Sequence, residues 1–140
     1  MCRLCMTNTV GTMITSRVVE TLDLTIMTGT GKIAASDVIA AMKDMYASKP
    51  TLLVLWDFTN ADVTGMAFEE VEAIADLAVK HGEMRVGGKS TVVSPQQVAI
   101  GISRVYESKV GDLKRPIQLQ VCLTLKEGLE FLGVSDLPDE

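Results

Sequence analysis

The densest apolar stretch lies mid-chain. Leu52, Leu53, Val54, Leu55 and Trp56 are apolar without alternation, with Pro50 before them and Asp57 and Asn60 after. A short unbroken run of this kind predicts a strand covered on both faces, an inner strand of a largely parallel sheet. It feeds a polar loop over 57–65, at the end of the strand where open α/β sheets usually put their working residues. Upstream, β-branched and apolar residues dominate 12–18 and 23–29, with Leu22, Leu24 and Ile26 on one face at period two. These predict an antiparallel pair that turns near 19–22.

Three-to-four spacing takes over elsewhere. Val38, Ala41, Met42 and Met45 form one stripe of a helix over 36–47, with Ser36 and Asp37 suited to its first turn. The methionines of that stripe are expected to pack in the core rather than to form a binding surface. Phe68, Val71, Ala75 and Ala78, widened by Ile74 and Leu77, predict a second helix. Glu69 and Glu70 open it, Lys80 and His81 close it, and Gly82 is placed to cap it. Gly87, Gly88 and Lys89 reverse the order of a phosphate-binding loop and read as a flexible loop entering a strand over 90–93. Ser94, Pro95 and Gln97 suit the N-cap, N1 and N3 positions of a third helix running to about Lys109, burying Ala99, Ile102 and Tyr106. A last strand over 117–122 leads to a capping box, Thr124 to Glu127, and a short helix ended by Gly133. Residues 1–11 and 134–140 are expected to be loosely ordered.

The order is therefore strand, strand, helix, then strand–helix three times. Right-handed crossovers make the later strands parallel and the first antiparallel, a mixed five-stranded sheet with about four helices. The full chain of 140 residues suits one domain with its own core. The central strand is apolar on both faces while the helices wind onto one. The other face is expected to be covered by the N-terminal strand pair curling over it or by a second copy in a homodimer.

Charge and composition narrow the function. Hydrophobic residues are 47% and charged residues 22%, ordinary for a globular protein. A net charge of −5 argues against a nucleic-acid partner, which would need a basic face. No apolar run nears the roughly 20 residues of a membrane span, and the opening MCRLCMTNTV lacks a signal-peptide core, so a cytoplasmic location is expected. Cys2 and Cys5 form a C-x-x-C, but no second ligand pair accompanies it. They read as reduced thiols, with no metal and no cofactor implied.

No Ser-His-Asp or Cys-His pattern with supporting context, H-E-x-x-H or P-loop is present, so catalysis is not expected. His81, the single histidine, reads as an exposed helix-end residue. Asp57 and Asp62 could act as an acid–base pair or as Mg²⁺ ligands, but aspartate in turns more often bonds its own backbone.

At this point the residues resemble a known group. Gly29-x-Gly31-Lys32-Ile33 before a helix is similar to the step into the first helix of STAS-like domains. Asp57-Phe58-Thr59 is similar to their "D-l-s/r" at a strand end. Val92-Val93-Ser94, then Gly101 to Glu107, then LKEGLEFLG at 125–133, resemble segments of the SpoIIAA-like group of mostly uncharacterised bacterial proteins. The resemblance covers about 12–133 and implies a SpoIIAA-like β-α superhelix, cytoplasmic, often self-associating, acting by binding rather than by catalysis.

In the anti-sigma-factor antagonists of that group, a hydroxyl in a D-S-S/T-G loop before a helix is phosphorylated. Asp62-Val63-Thr64-Gly65 matches in part, which implies Thr64 as a phosphoacceptor; Val63 stands where a serine is usual, and the spacing from Asp57 is shorter. The bland alternative is Thr64 as a plain N-cap. The resemblance thus implies a regulatory or scaffold module that binds a protein partner through the 57–65 loop and the following helix. The candidate binding residues are Asp57, Thr59, Asp62, Thr64, Gly65 and Arg104. The alternative is a small-ligand or lipid-binding module. Its eight methionines would line an adaptable apolar pocket, and Arg104, with Lys89 or Arg85, would hold an anionic group.

Overall fold

The computed structural model describes residues 13–97, 100, 101, 104, 117–135 and 137. Its five strands lie in one sheet in chain order: β1 (Ile14–Val19), β2 (Leu24–Lys32), β3 (Leu53–Asp62), β4 (Lys89–Val93) and β5 (Gln118–Cys122). β1 runs antiparallel to β2, and every later pair is parallel. The mixed sheet is the one the element order predicts. Helices α1 (Ala35–Ala47), α2 (Phe68–His81) and α3 (Leu125–Leu132), with two short 3-10 turns, complete the described elements. Ile100, Gly101 and Arg104 are also helical, while the rest of the helix expected over 94–109 lies outside the described residues, as do Cys2 and Cys5.

β3 is covered on both faces, as its composition requires. Val54, Trp56 and Phe58 pack under Val38, Met42, Met45 and Tyr46 of α1, with Ile74 and Leu77 of α2 alongside. The methionine stripe is therefore core. Leu55 faces the other way and packs with Leu24, Ile26, Val93 and the Leu125, Leu129 and Leu132 stripe of α3. Among the described residues the cover differs from the expected one: β1 pairs with β2 at the sheet edge, and α3 packs on the second face.

Gly128 lets α3 sit close. A Cβ there would lie 2.7 Å from Val93 Cγ2. Thr124 Oγ1 accepts from the Glu127 amide, and the Glu127 carboxylate reaches the Leu123 amide rather than that of Thr124. At the other end Gly133 is left-handed, and the Val134 amide bonds to Leu129 O, as in a Schellman cap. Val134 is buried and Leu137 packs against the same cluster, so the core extends into the segment expected to be loose.

The glycines after α2 shape the path into β4. Gly82 is the C-cap of α2 as expected, but it is right-handed and buried, and the chain continues as a 3-10 turn, Gly82–Arg85. Gly87 and Gly88 form a tight turn rather than a flexible loop. Gly87 has φ +87°, and a methyl on Gly88 would collide with the Leu52 carbonyl oxygen. The hairpin-like turn between β1 and β2 works without glycine because Asp23 adopts the left-handed conformation after a 3-10 turn, Glu20–Leu22.

Candidate functional site

The site grows out of an irregularity in β3. Thr28 pairs with Asp57 and Thr30 with Asn60, so one residue of β2 faces two of β3. Such a bulge bends the strand and re-aims its side chains. Gly29 is the residue opposite, and Phe58 lies directly over it, leaving no room for a side chain there. Phe58, Ala61 and Val63 then all join the core under α1 and α2.

The sequence suggests that 57–65 is a loop, but β3 runs on to Asp62. Because β2 extends to Lys32, Asn60, Ala61 and Asp62 find partners in Thr30, Gly31 and Lys32. Only 63–67 leaves the sheet. Residues 57–62 thus form a polar ledge of strand, which 63–65 continue as a turn.

Two matching clamps stiffen that ledge. Asp57 Oδ1 accepts the Thr59 amide at 3.1 Å and the Thr59 hydroxyl at 2.6 Å. Asp62 Oδ1 accepts the Thr64 amide at 2.9 Å and the Thr64 hydroxyl at 2.6 Å. These are local aspartate turns of the expected kind, and they occupy one oxygen of each carboxylate. A third group, Gln96, ties the ledge to the segment after β4. Its Oε1 accepts the Val63 amide at 2.9 Å, and its Nε2 donates to Asp62 Oδ1 at 3.3 Å. Nothing in the local sequence marks Gln96, because its partners lie more than thirty residues away.

The Thr64 hydroxyl, then the Thr64 amide, Gln96 and the nearby Lys32 hold the Asp62 carboxyl below its ordinary value of 3.8. The site is therefore a fixed negative charge with bound hydroxyls beside it.

The remaining candidates are spread around it. Thr59, Thr64 and Gly65 are exposed, and Asp57 and Asp62 are half-buried. Thr64 does not cap α2. The N-cap is Ala67, whose amide donates to Glu70 Oε1 at 2.8 Å, so the Thr64 hydroxyl stands three residues before the N-cap. Arg104 is helical and exposed. Lys89 is held away from any shared site, its Nζ donating to Phe131 O at 3.2 Å on the α3 side. His81 is half-buried rather than exposed, stacked on Tyr46 at 4.9 Å between ring centres.

A cavity of about 120 Å³ opens between the sheet and α1 and α2. Met42, Met45, Trp56, Ile74 and Val92 line it, together with two buried polar residues, Arg85 and Ser90. Arg85 reaches it from the 3-10 turn after α2. In the sequence Arg85 stands only as one of two possible companions to Arg104, since the burial of a lone arginine leaves no periodic signal.

No family model matches the sequence, and no curated protein is similar to it. A solved structure does match the fold. An uncharacterised protein of the DUF3478 family from Shewanella loihica PV-4, described as having a SpoIIAA-like fold, superposes with a TM-score of 0.56. The alignment covers 91% of this chain and 99% of that one, at 16% identity. The fold is SpoIIAA-like. At this identity the likeness carries architecture alone. No helix among the described residues is long and apolar enough to cross a membrane.

Proposed function

We propose that this chain is a non-catalytic regulatory or scaffold module of the SpoIIAA-like fold. It engages a protein partner through the ledge 57–65 and the first turn of α2. One observation carries the reading: a pre-ordered polar ledge stands beside an exposed aromatic. Phe68, the first residue of α2, is 59% exposed, four residues beyond the clamped Thr64. An aromatic anchor next to rigid hydrogen-bonding groups is the make-up of interface hot spots, because neither part loses much freedom on binding.

Thr64 is the point at which the contact is switched. Its hydroxyl is exposed, and phosphorylation would end its bond to Asp62 and set two anions side by side, with Lys32 as the nearest counter-charge. The clamp would open and the ledge would change shape.

The test is quantitative capture by the immobilised protein from a lysate of cells that express it. Wild type retains a partner; Phe68→Ala and Thr64→Asp each lower its recovery about tenfold, the scale of one hot-spot loss. Lys43→Ala, on the exposed side of α1, leaves recovery unchanged. Equal recovery by all four proteins, or no partner on the wild type, would overturn the reading.

A further inference from the structure

We infer that the cavity under α1 and α2 is a binding site for a small amphipathic carboxylate, a second site independent of the ledge. Arg85 is the first unmatched group. It is only 3% exposed, yet no carboxylate meets it among the described residues. Its Nε donates to Thr51 O at 2.6 Å, and Nη2 donates to Leu52 O at 2.9 Å and Lys89 O at 3.1 Å. These bonds use three of the five N–H donors of a guanidinium and leave both donors on Nη1 without a described acceptor. A buried cation held only by neutral carbonyls is an unusual arrangement, since burying charge is costly unless an opposite charge accompanies it.

Ser90 is the second unmatched group. It is 8% exposed, and its hydroxyl has no described partner. It lies beside the guanidinium, because Arg85 Nη2 bonds the carbonyl of the Lys89–Ser90 peptide. Both residues line the cavity, whose other walls are almost wholly apolar. An apolar pocket with a few convergent polar groups is the usual form of a small-molecule site. The chemistry of those groups selects an anion: the positive charge, the two N–H donors left on Nη1 and the Ser90 hydroxyl can donate to the oxygens of a carboxylate.

Volume sets the size of the body. The cavity of about 120 Å³ is near the ~150 Å³ of an engineered apolar cavity that takes up benzene. The ligand is therefore a monocarboxylate with a body of one aromatic ring or a short alkyl chain. A long-chain lipid is too large. This narrows the anionic or lipid ligand expected from the methionine content, and moves its anion-holding residue from Arg104, which is exposed, to Arg85.

Calorimetry on the full chain, with benzoate and the neutral isostere benzyl alcohol as probes, tests the inference. Benzoate binds at one site per chain and about tenfold or more tightly than benzyl alcohol, the difference a charge-assisted pair makes. Ala78→Leu, which fills the cavity without altering Arg85, abolishes binding of both while the protein stays folded. Arg85→Met removes the preference for benzoate. Should that variant fail to fold, since Arg85 also holds three backbone carbonyls, Ser90→Ala serves instead and weakens benzoate several-fold. No binding of benzoate or butyrate at millimolar concentration would mean that the cavity holds water alone and would overturn the inference. Equal affinity for the two probes, or benzoate binding that survives Ala78→Leu, would do the same.

Discussion

Replacing Gly29 by alanine probes the bulge on which the ledge depends. A Cβ at this position would stand 2.7 Å from two carbons of the Phe58 ring and 3.2 Å from Ile33 Cδ1. The ring cannot step aside, because Phe58 is 5% exposed and wedged within the core beneath α1 and α2. Overpacking of this kind costs about 1–3 kcal/mol. Against it stands a gain of about 0.4–1 kcal/mol from stiffening the unfolded chain. The net loss is about 1–2 kcal/mol, which for a chain of this length lowers Tm by roughly 3–8 °C. Phe58→Ala alone leaves a cavity and costs about 3–5 kcal/mol. The double variant removes the clash as well as the ring, so its loss falls short of the sum by about 1–2 kcal/mol. Urea titration of the four proteins gives the cycle directly. Gly29→Ala as stable as wild type, or strictly additive losses, would refute the placement of the ring over the glycine and, with it, the bulge that aims Asp57 and Asp62.

Two further outcomes follow from the same geometry. Asp62→Asn keeps an oxygen for Thr64 but removes the charge. Because the folded carboxyl titrates below its ordinary value, its contribution is fully present above the unfolded pKa of about 4 and is lost as pH falls through the lower folded value. The stability difference between wild type and Asp62→Asn, followed by denaturant titration, is therefore constant near neutrality and shrinks below about pH 4; a difference that grows with acidification would contradict the clamp. Gly88→Ala drives a methyl into the carbonyl oxygens of Leu52 and Arg85, which are backbone and cannot yield, so stability falls by about 3 kcal/mol. Gly87→Ala meets open space and pays only left-handed strain, about 1–2 kcal/mol, and thermal unfolding separates the two.

Much of this architecture is legible in residue order. The unbroken apolar run of β3, the stripes of α1 and α2, and the threonine and glycine that bracket α3 are local patterns, and each forms the element it predicts. What escapes is non-local. The ledge reads as a loop because Asp57, Thr59, Asn60 and Asp62 are polar, yet β2 extends far enough to pair with it. The cover for the second sheet face was also available locally. Leu125, Leu129 and Leu132 have the spacing of a buried stripe, but a short terminal helix gives no sign of where it docks. Gln96 and Arg85 are recognisable only once strands far apart in sequence are side by side. Sites assembled by tertiary pairing leave little trace in periodicity, whereas elements set by local spacing leave a clear one.

Residue-resolved hydrogen exchange on the free protein tests most directly whether 57–65 is a pre-ordered surface. The amides of Thr59, Val63 and Thr64 donate to Asp57, Gln96 and Asp62, so they exchange far more slowly than unstructured chain. Rates at those three amides equal to those of an unfolded peptide would mean that the ledge is a mobile loop, and the binding surface proposed for it would not exist.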